Sequence, residues 1–128
     1  MKPLLLFFLA TAALVAQSIS GTYVGAAKTE MPDGVREASF TIVVKEDGEK
    51  LLVTGAPTGT SQLPAKKLGR SGNLLKFEIT PPYRGEEPVK FDVSVKNGKL
   101  TGKMITTKGR LIIPGTLELY RKQDLSGK

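Results

Sequence analysis

The side chains that most enzymes use for acid–base and nucleophilic catalysis are missing from this chain. It contains no His and no Cys, which removes the commonest general base, the thiol nucleophile and the usual zinc ligands. A Ser-His-Asp triad is therefore impossible. Carboxylates remain as candidate acids and bases, and they cluster twice, at Glu46-Asp47 with Glu49 and at Glu86-Glu87.

A carboxylate pair can work as acid and base on a glycoside when an apolar pocket raises the pKa of one member. The cluster at Glu46 lies in a tight turn between Lys45 and Lys50, so we expect it to be solvated. The Glu86-Glu87 pair lies in a longer loop, and a hydrolase that uses either residue is the enzymatic alternative. Neither cluster has the ligand spacing of a calcium loop. We therefore expect no catalytic residue, no metal site and no cofactor.

The first residues have the three-part layout of a secretory signal peptide. Lys2 supplies a positive charge, a largely apolar stretch follows from Leu4 to Val15, and small residues at Ala16 and Ser18 fit a cleavage site. The apolar stretch is too short to span a bilayer, which takes roughly 20 helical residues. We predict a cleavable signal peptide over 1–18 and one domain over 19–128, with Gly21 as the alternative mature start.

The composition of the chain indicates its compartment and the charge of its partners. An exported chain without Cys gains nothing from disulfides and must be held by its core, which favours a bacterial envelope, so we predict a periplasmic or secreted protein. The chain has 19 Lys and Arg against 12 Asp and Glu. An anionic envelope component is therefore a possible partner, and a merely solvated surface is the alternative.

Alternation of apolar and polar residues dominates the chain after residue 36. It is perfect over 89–96, which predicts a strand with one buried and one wet face. Tight hairpin turns are indicated at Asp47-Gly48, Ser71-Gly72 and Asn97-Gly98. The predicted strands cover 20–27, 36–45, 50–55, 62–68, 74–79, 88–96, 99–106 and 111–122. The fourth is the weakest, because Pro64 cannot donate to a ladder.

Consecutive hairpins predict an all-β, antiparallel up-and-down meander that closes into an eight-stranded barrel and so removes its edges. A two-sheet β-sandwich is the alternative. A transmembrane barrel is disfavoured because Lys90, Asp92 and Lys96 lie on the outward face. We expect a monomer with no transmembrane segment in the mature chain.

The connections predict two unlike ends. The three tight turns share one end, called closed, with both chain termini, and longer connections over 27–35, 56–61, 80–87 and 107–110 lie at the other, called open. Small-molecule barrels take ligands through a mouth framed by longer loops. Tyr83 and Arg84 are the first candidates for ligand contact, with Glu86 and Arg110 on the same end.

At the closed end, Gly21-Thr22-Tyr23 together with Arg121 resembles a degenerate form of the lipocalin and avidin pattern. In that superfamily a Gly-x-Trp near the first strand packs beneath an arginine from the last strand, which implies a structural role for Tyr23 and Arg121. Tyr replaces Trp here, and no ligand residue can be carried over, so biotin binding is not implied.

A second resemblance covers most of the mature length. The pattern 19–23, Pro32-Asp33-Gly34 and Asp47-Gly48, with Leu51 and Gly55, is similar to a group of short exported bacterial proteins. That resemblance implies a compartment and a fold but no activity.

We therefore interpret the domain as a non-enzymatic binding module that holds a small apolar or amphipathic ligand at its open end. The alternative is a solidly packed barrel that contacts anionic envelope components through its basic surface. Nucleic acid is not an expected partner: Lys66-Lys67, Arg70 and Lys76 are basic, but the nearby Phe77 has interior parity, and stacking on bases needs exposed aromatic residues.

Overall fold

The structure is a computed structural model that describes residues 18–82 and 85–122. Within these ranges it contains β-strands and turns and no helix, so no described helix is long and apolar enough to cross a membrane. The strands are β1 (Gly21–Met31), β2 (Gly34–Asp47), β3 (Lys50–Pro57), β4 (Leu63–Pro64), β5 (Lys66–Ser71), β6 (Leu74–Ile79), β7 (Val89–Lys96), β8 (Lys99–Lys108) and β9 (Leu111–Arg121). Most of the predicted signal peptide, residues 1–17, lies outside the described residues.

All strands belong to one antiparallel sheet in the order β4-β3-β2-β1-β9-β8-β7-β6-β5. Each strand therefore pairs with its chain neighbour, except that β4 does not pair with β5, and β1 also pairs with β9 from Tyr23↔Arg121 to Thr29↔Gly115. The two edge strands, β4 and β5, are consecutive in the chain and are separated by Ala65. The sheet is thus a nearly closed, up-and-down barrel, as the sequence predicts.

The predicted fourth strand forms as two short strands with different partners. Leu63 of β4 pairs with Gly55 of β3, and Ala65 N donates to Val53 O at 2.9 Å. The chain then leaves β3, and β5 pairs with β6 from Lys66↔Glu78 onward, with an irregularity between Lys66 and Gly69. Pro64 has no N–H to continue a ladder, and the change of partner follows one residue later, after Ala65. This segment closes the gap between β3 and β6, which is why nine strands are present where the sequence predicts eight.

The two ends of the barrel differ less than predicted. At the closed end, two-residue turns join β2 to β3, β5 to β6 and β7 to β8, beside the start of β1 and the end of β9. At the open end, the segments 58–62 and 80–88 are longer, but β1–β2 and β8–β9 are also joined by two residues, Pro32-Asp33 and Gly109-Arg110. The predicted long connections over 27–35 and 107–110 are therefore wrong, because most of their residues extend the strands in regular register.

The core is formed by alternate residues of the long strands. Among the described residues, the largest fully buried side chains are Tyr23, Ile42, Leu75, Leu100, Leu119, Val44 and Val93. No buried side-chain nitrogen or oxygen atom lacks a hydrogen-bond partner in the described part of the chain. Parity predicts most of this core, but Ala38, predicted to be interior, is exposed.

Candidate functional site

The residues on the inward face of β2 become more exposed toward the open end of the barrel. Val44 and Ile42 are 1% and 0% exposed, Phe40 is half-buried, and Ala38 and Arg36 are exposed. These residues alternate along one strand and so share one face of the sheet. The ladder between β2 and β3 stops at Phe40↔Pro57. After a last bond from Thr58 N to Ser39 O at 3.0 Å, β2 has β1 as its strand partner. Burial on the inward face of β2 therefore ends at Phe40, whereas Ala27, the β1 partner of Ala38, and Ile113 of β9 remain buried.

Aromatic rings form the floor of this open region. The ring of Phe91 stacks on Phe77 with centroids 4.9 Å apart and lies 6.0 Å from the ring of Phe40. Gly55 lies beside these rings, and its lack of a side chain leaves room for side chains of other strands. A Cβ atom at this position would be 2.9 Å from Ile79 Cδ1 and 3.4 Å from Phe40 Cε2. Side chains from β2 and β6 thus meet over β3, and the interior is closely packed at this level.

Three half-buried apolar residues pack against the core from the open end: Phe40 of β2, Leu63 of β4 and Val89 of β7. We call them the rim cluster. Leu63 and Val89 directly follow the two longer open-end segments, 58–62 and 80–88. The rim cluster therefore presents apolar surface where those segments meet the barrel, an arrangement that can bind an apolar group by removing it from water.

Two of the four predicted ligand residues, Glu86 and Arg110, lie within the described residues, on different connections at the open end. Tyr83 and Arg84 lie outside the described residues. Glu86 is half-buried in the segment 80–88, and Arg110 is exposed in the turn between β8 and β9. The sequence did not predict the rim cluster or Arg36 as site residues. Interior parity identifies Phe40 and Val89 as core residues, but it does not show where along a strand the core ends.

Tyr23 and Arg121 occupy the closed end and are partners in the β1–β9 ladder. The buried Tyr23 hydroxyl donates to Ile19 O at 2.7 Å, and Arg121 Nη1 donates to Ser20 O at 3.3 Å. Arg121 crosses so closely above Gly21 that a Cβ atom there would be 2.5 Å from its Cδ. Burial raises the pKa of Tyr23, and the positive charge of Arg121 opposes that rise.

Glu46 is not the solvated turn residue that the sequence predicts. Its Oε1 atom accepts hydrogen bonds from Ser18 Oγ at 2.7 Å, Ile19 N at 2.9 Å and Ser20 Oγ at 3.2 Å, and its Oε2 atom accepts one from Arg70 Nη1 at 2.9 Å. These bonds, that from Ser18 first, lower the pKa of Glu46 to about 2. Glu46 shares the inward parity of Val44, and this signal could have identified it.

Positive charge is concentrated on one side of the barrel. The described chain from 66 to 108, which forms β5 to β8, has nine Lys or Arg and four Asp or Glu, whereas 18–65 has four and six. The outer face of β6 to β8 contains a shallow groove of about 340 Å³ beside Lys67, Lys76, Lys90, Lys103 and Ile105. Two of these lysines are offset by acids, since Lys67 lies 3.9 Å from Glu78 and Lys76 lies 4.0 Å from Asp92. We call this surface the basic face.

Comparisons with known proteins do not assign the chain to a family. No protein-family model matches it, and no curated protein or solved structure is similar to it at a significant level. The nearly closed antiparallel barrel is compatible with the lipocalin and avidin resemblance as an architecture. Among the described residues, no group of three or more acidic side chains is placed to hold a metal ion.

Proposed function

We propose that this protein is an exported, non-enzymatic binding module that holds a small apolar or amphipathic ligand on the rim cluster at the open end. The loss of burial along the inward face of β2, from Ile42 through Phe40 to Ala38, is the observation that supports this proposal most strongly. The apolar surface that stays exposed on Phe40 and Ala38 would contribute to stability if a bound apolar group removed it from water.

The close packing of Phe40, Phe77, Phe91 and Ile79 argues for a ligand that lies on the rim rather than deep in the barrel. Apolar contact with the rim cluster would supply most of the affinity. The positive charge of Arg36 is paired with Asp33 at 3.2 Å, and Arg110 lies at the same end as Glu86 and Glu87, so these charges do not select the head group of an amphipathic ligand.

Native mass spectrometry of the protein purified gently from its own host tests the proposal. We expect an additional mass that persists at high salt and disappears after denaturation, because apolar contacts are not screened by salt. A protein that carries no additional mass, and that takes up no fatty acid from an added mixture of chain lengths, would contradict the proposal.

A matched pair of variants locates the site. Val89→Asn places a polar amide in the rim cluster, whereas Val35→Asn makes the same change at an outer-face residue that is 67% exposed. We expect Val89→Asn to lose the bound ligand and Val35→Asn to retain it, with both variants folded by circular dichroism. Equal ligand content in the two variants would show that the ligand binds elsewhere.

The basic face supports a second candidate function, in which the barrel binds an anionic envelope polymer. The charge difference between β5–β8 and the rest of the barrel favours this possibility. Dextran sulfate is a suitable probe. Lys90→Glu combined with Lys103→Glu should abolish retention, whereas Lys45→Glu with Lys50→Glu, the same charge change outside the basic face, should weaken it only slightly. Salt should weaken this binding steeply, unlike binding at the rim cluster.

A further inference from the structure

The backbone nitrogen of Ile19 donates to Glu46 Oε1 at 2.9 Å, and two serine hydroxyls donate to the same oxygen. The Ile19 side chain is 2% exposed, and its carbonyl oxygen accepts the hydrogen bond from Tyr23. This segment therefore lies across the closed end and is held by a carboxylate that has a positive partner, Arg70, on its other oxygen. Such a carboxylate is well suited to bind a cation in place of the peptide N–H.

We propose that the Ser18–Ile19 bond is the processing site of this protein and that Glu46 binds the α-ammonium group which cleavage creates on Ile19. Hydrolysis by an endopeptidase adds one water across the peptide bond: the carboxyl group leaves with Ser18, and the new amine takes up a proton. The inference rests on the signal-peptide prediction and does not depend on what the barrel binds.

The contacts of 19–20 favour this bond over the alternative, Ser20–Gly21. Cleavage after Ser20 would remove a buried isoleucine and the acceptor of the Tyr23 hydroxyl. It would also remove Ser20 Oγ, which accepts from Glu46 N at 3.0 Å and donates to the carboxylate. A buried hydroxyl that loses its partner destabilises the fold, so a chain that starts at Gly21 would have a weaker closed end.

Cleavage after Ser18 removes much less. Ser18 is exposed and contributes its hydroxyl to Glu46 and to Ser20 N. An ammonium group has three donors where the peptide had one, and a charged donor makes a stronger bond to a carboxylate. The bond must be cut before the barrel closes over Ile19, since the folded chain buries that residue.

The new amine has a distinct pH dependence. The titratable and charged groups that face it are Glu46, Arg70, Tyr23 and Arg121, and Glu46 is the one in direct contact. An α-amine ordinarily titrates near pH 8. Binding to a carboxylate raises its pKa in the folded state, so the stability it contributes is complete below that pH and is lost as the pH rises further.

The test uses the full chain expressed in an export-competent host. We expect the intact mass of the exported protein to correspond to 19–128. At pH 8, acetylation of the α-amine by an activated acetate ester should be about fivefold slower in the wild type than in Glu46→Gln, because the bound ammonium does not react. Asp47→Asn, a neighbouring exposed acid, is the matched control and should react like the wild type.

A second measurement needs no variant. Competitive acetylation between pH 6 and pH 10 should give a higher α-amine pKa in the folded wild-type protein than in the same protein under denaturant. An exported chain that starts anywhere other than Ile19 would overturn the proposed processing site. Equal acetylation rates in wild type and Glu46→Gln, or equal titration in the folded and unfolded states, would overturn the proposed binding of the amine by Glu46.

Discussion

Tyr23 of β1 and Arg121 of β9 are cross-strand partners in the ladder that joins the first strand of the barrel to the last. The tyrosine ring is fully buried beneath the closed end, and the arginine crosses above Gly21 to reach Ser20 O. The two side chains thus hold the beginning and the end of the domain together, so their contributions to stability should depend on each other.

A double-mutant cycle measures this dependence. Tyr23→Ala should cost about 3–5 kcal/mol as a large core truncation. Arg121→Ala should cost clearly less in the Tyr23→Ala background than in the wild type, with a coupling free energy above about 0.5 kcal/mol. Urea unfolding gives all four values. Tyr120→Ala is the control partner, because that side chain is 53% exposed on the outer face; additivity for Tyr23 and Arg121 would contradict the closed-end contact.

The Tyr23 hydroxyl should titrate at higher pH than an ordinary phenol. Burial raises its pKa, so the folded state resists ionisation, and stability that is complete below about pH 10 should decline as the pH rises above it. Absorbance at 295 nm should show one late-titrating tyrosine that is missing in Tyr23→Phe. Tyr120→Phe is the control. Loss of an early-titrating tyrosine in Tyr23→Phe would refute the buried hydrogen bond to Ile19.

Glu46 should make the fold sensitive to acid. The bond from Ser18 is the first cause of its lowered pKa of about 2, and in a chain that starts at Ile19 the α-ammonium group replaces that bond. In both chains the pKa lies below that of a free glutamate, so the stability Glu46 contributes is present above about pH 5 and is lost as the pH falls further. Partial solvation limits the effect to about 1–2 kcal/mol. Urea unfolding at pH 7 and pH 3 should show a smaller decrease in Glu46→Gln than in the wild type. If Asp47→Asn reduces the decrease equally, the Glu46 contacts are not its cause.

Much of the fold could be predicted because its signals lie within short stretches of the sequence. The alternation over 89–96 identifies a strand with one buried face, and Asn97-Gly98 supplies the positive φ angles of 52° and 74° that its hairpin uses. The order of strands in a meander then follows from short connections alone. These signals require no knowledge of distant contacts.

The features that were missed depend on distant contacts. The partner change after Pro64 is set by the gap between β3 and β6. The hydrogen bonds to Glu46 Oε1 come from Ser18 to Ser20, which lie 26 to 28 residues away. Ala38 has interior parity but is exposed because β3 ends at Pro57. Periodicity predicts which face of the sheet a side chain is on. The residue at which burial stops along a strand depends on where the neighbouring strands end.

Replacement of Lys67 by glycine should stabilise the protein. It has a φ of 55°, a left-handed conformation that is unfavourable for a side chain with Cβ, and it lies at the irregularity between Lys66 and Gly69. Lys67→Gly should therefore stabilise the protein by about 0.5–1 kcal/mol, whereas Lys66→Gly, outside the left-handed region, should destabilise it. Thermal unfolding of both variants decides the matter. A destabilising Lys67→Gly would mean that the lysine contacts, among them Glu78, outweigh the backbone cost.

Gly25 should be intolerant of any side chain, because β1 and β9 approach closely there. A Cβ atom at Gly25 would lie 2.2 Å from Glu118 O and 2.8 Å from Leu119 Cα. Both are backbone atoms of the strand that closes the barrel, so relief would require the β1–β9 ladder to move. Gly25→Ala should cost about 1–3 kcal/mol, as overpacking does. Gly69→Ala is the control, since nothing lies within 4 Å of its Cβ position and its φ is ordinary; it should be neutral or stabilise by about 0.5 kcal/mol. Equal urea midpoints for the two variants would mean that β1 and β9 do not approach each other this closely at Gly25, contrary to the register from Tyr23 to Thr29.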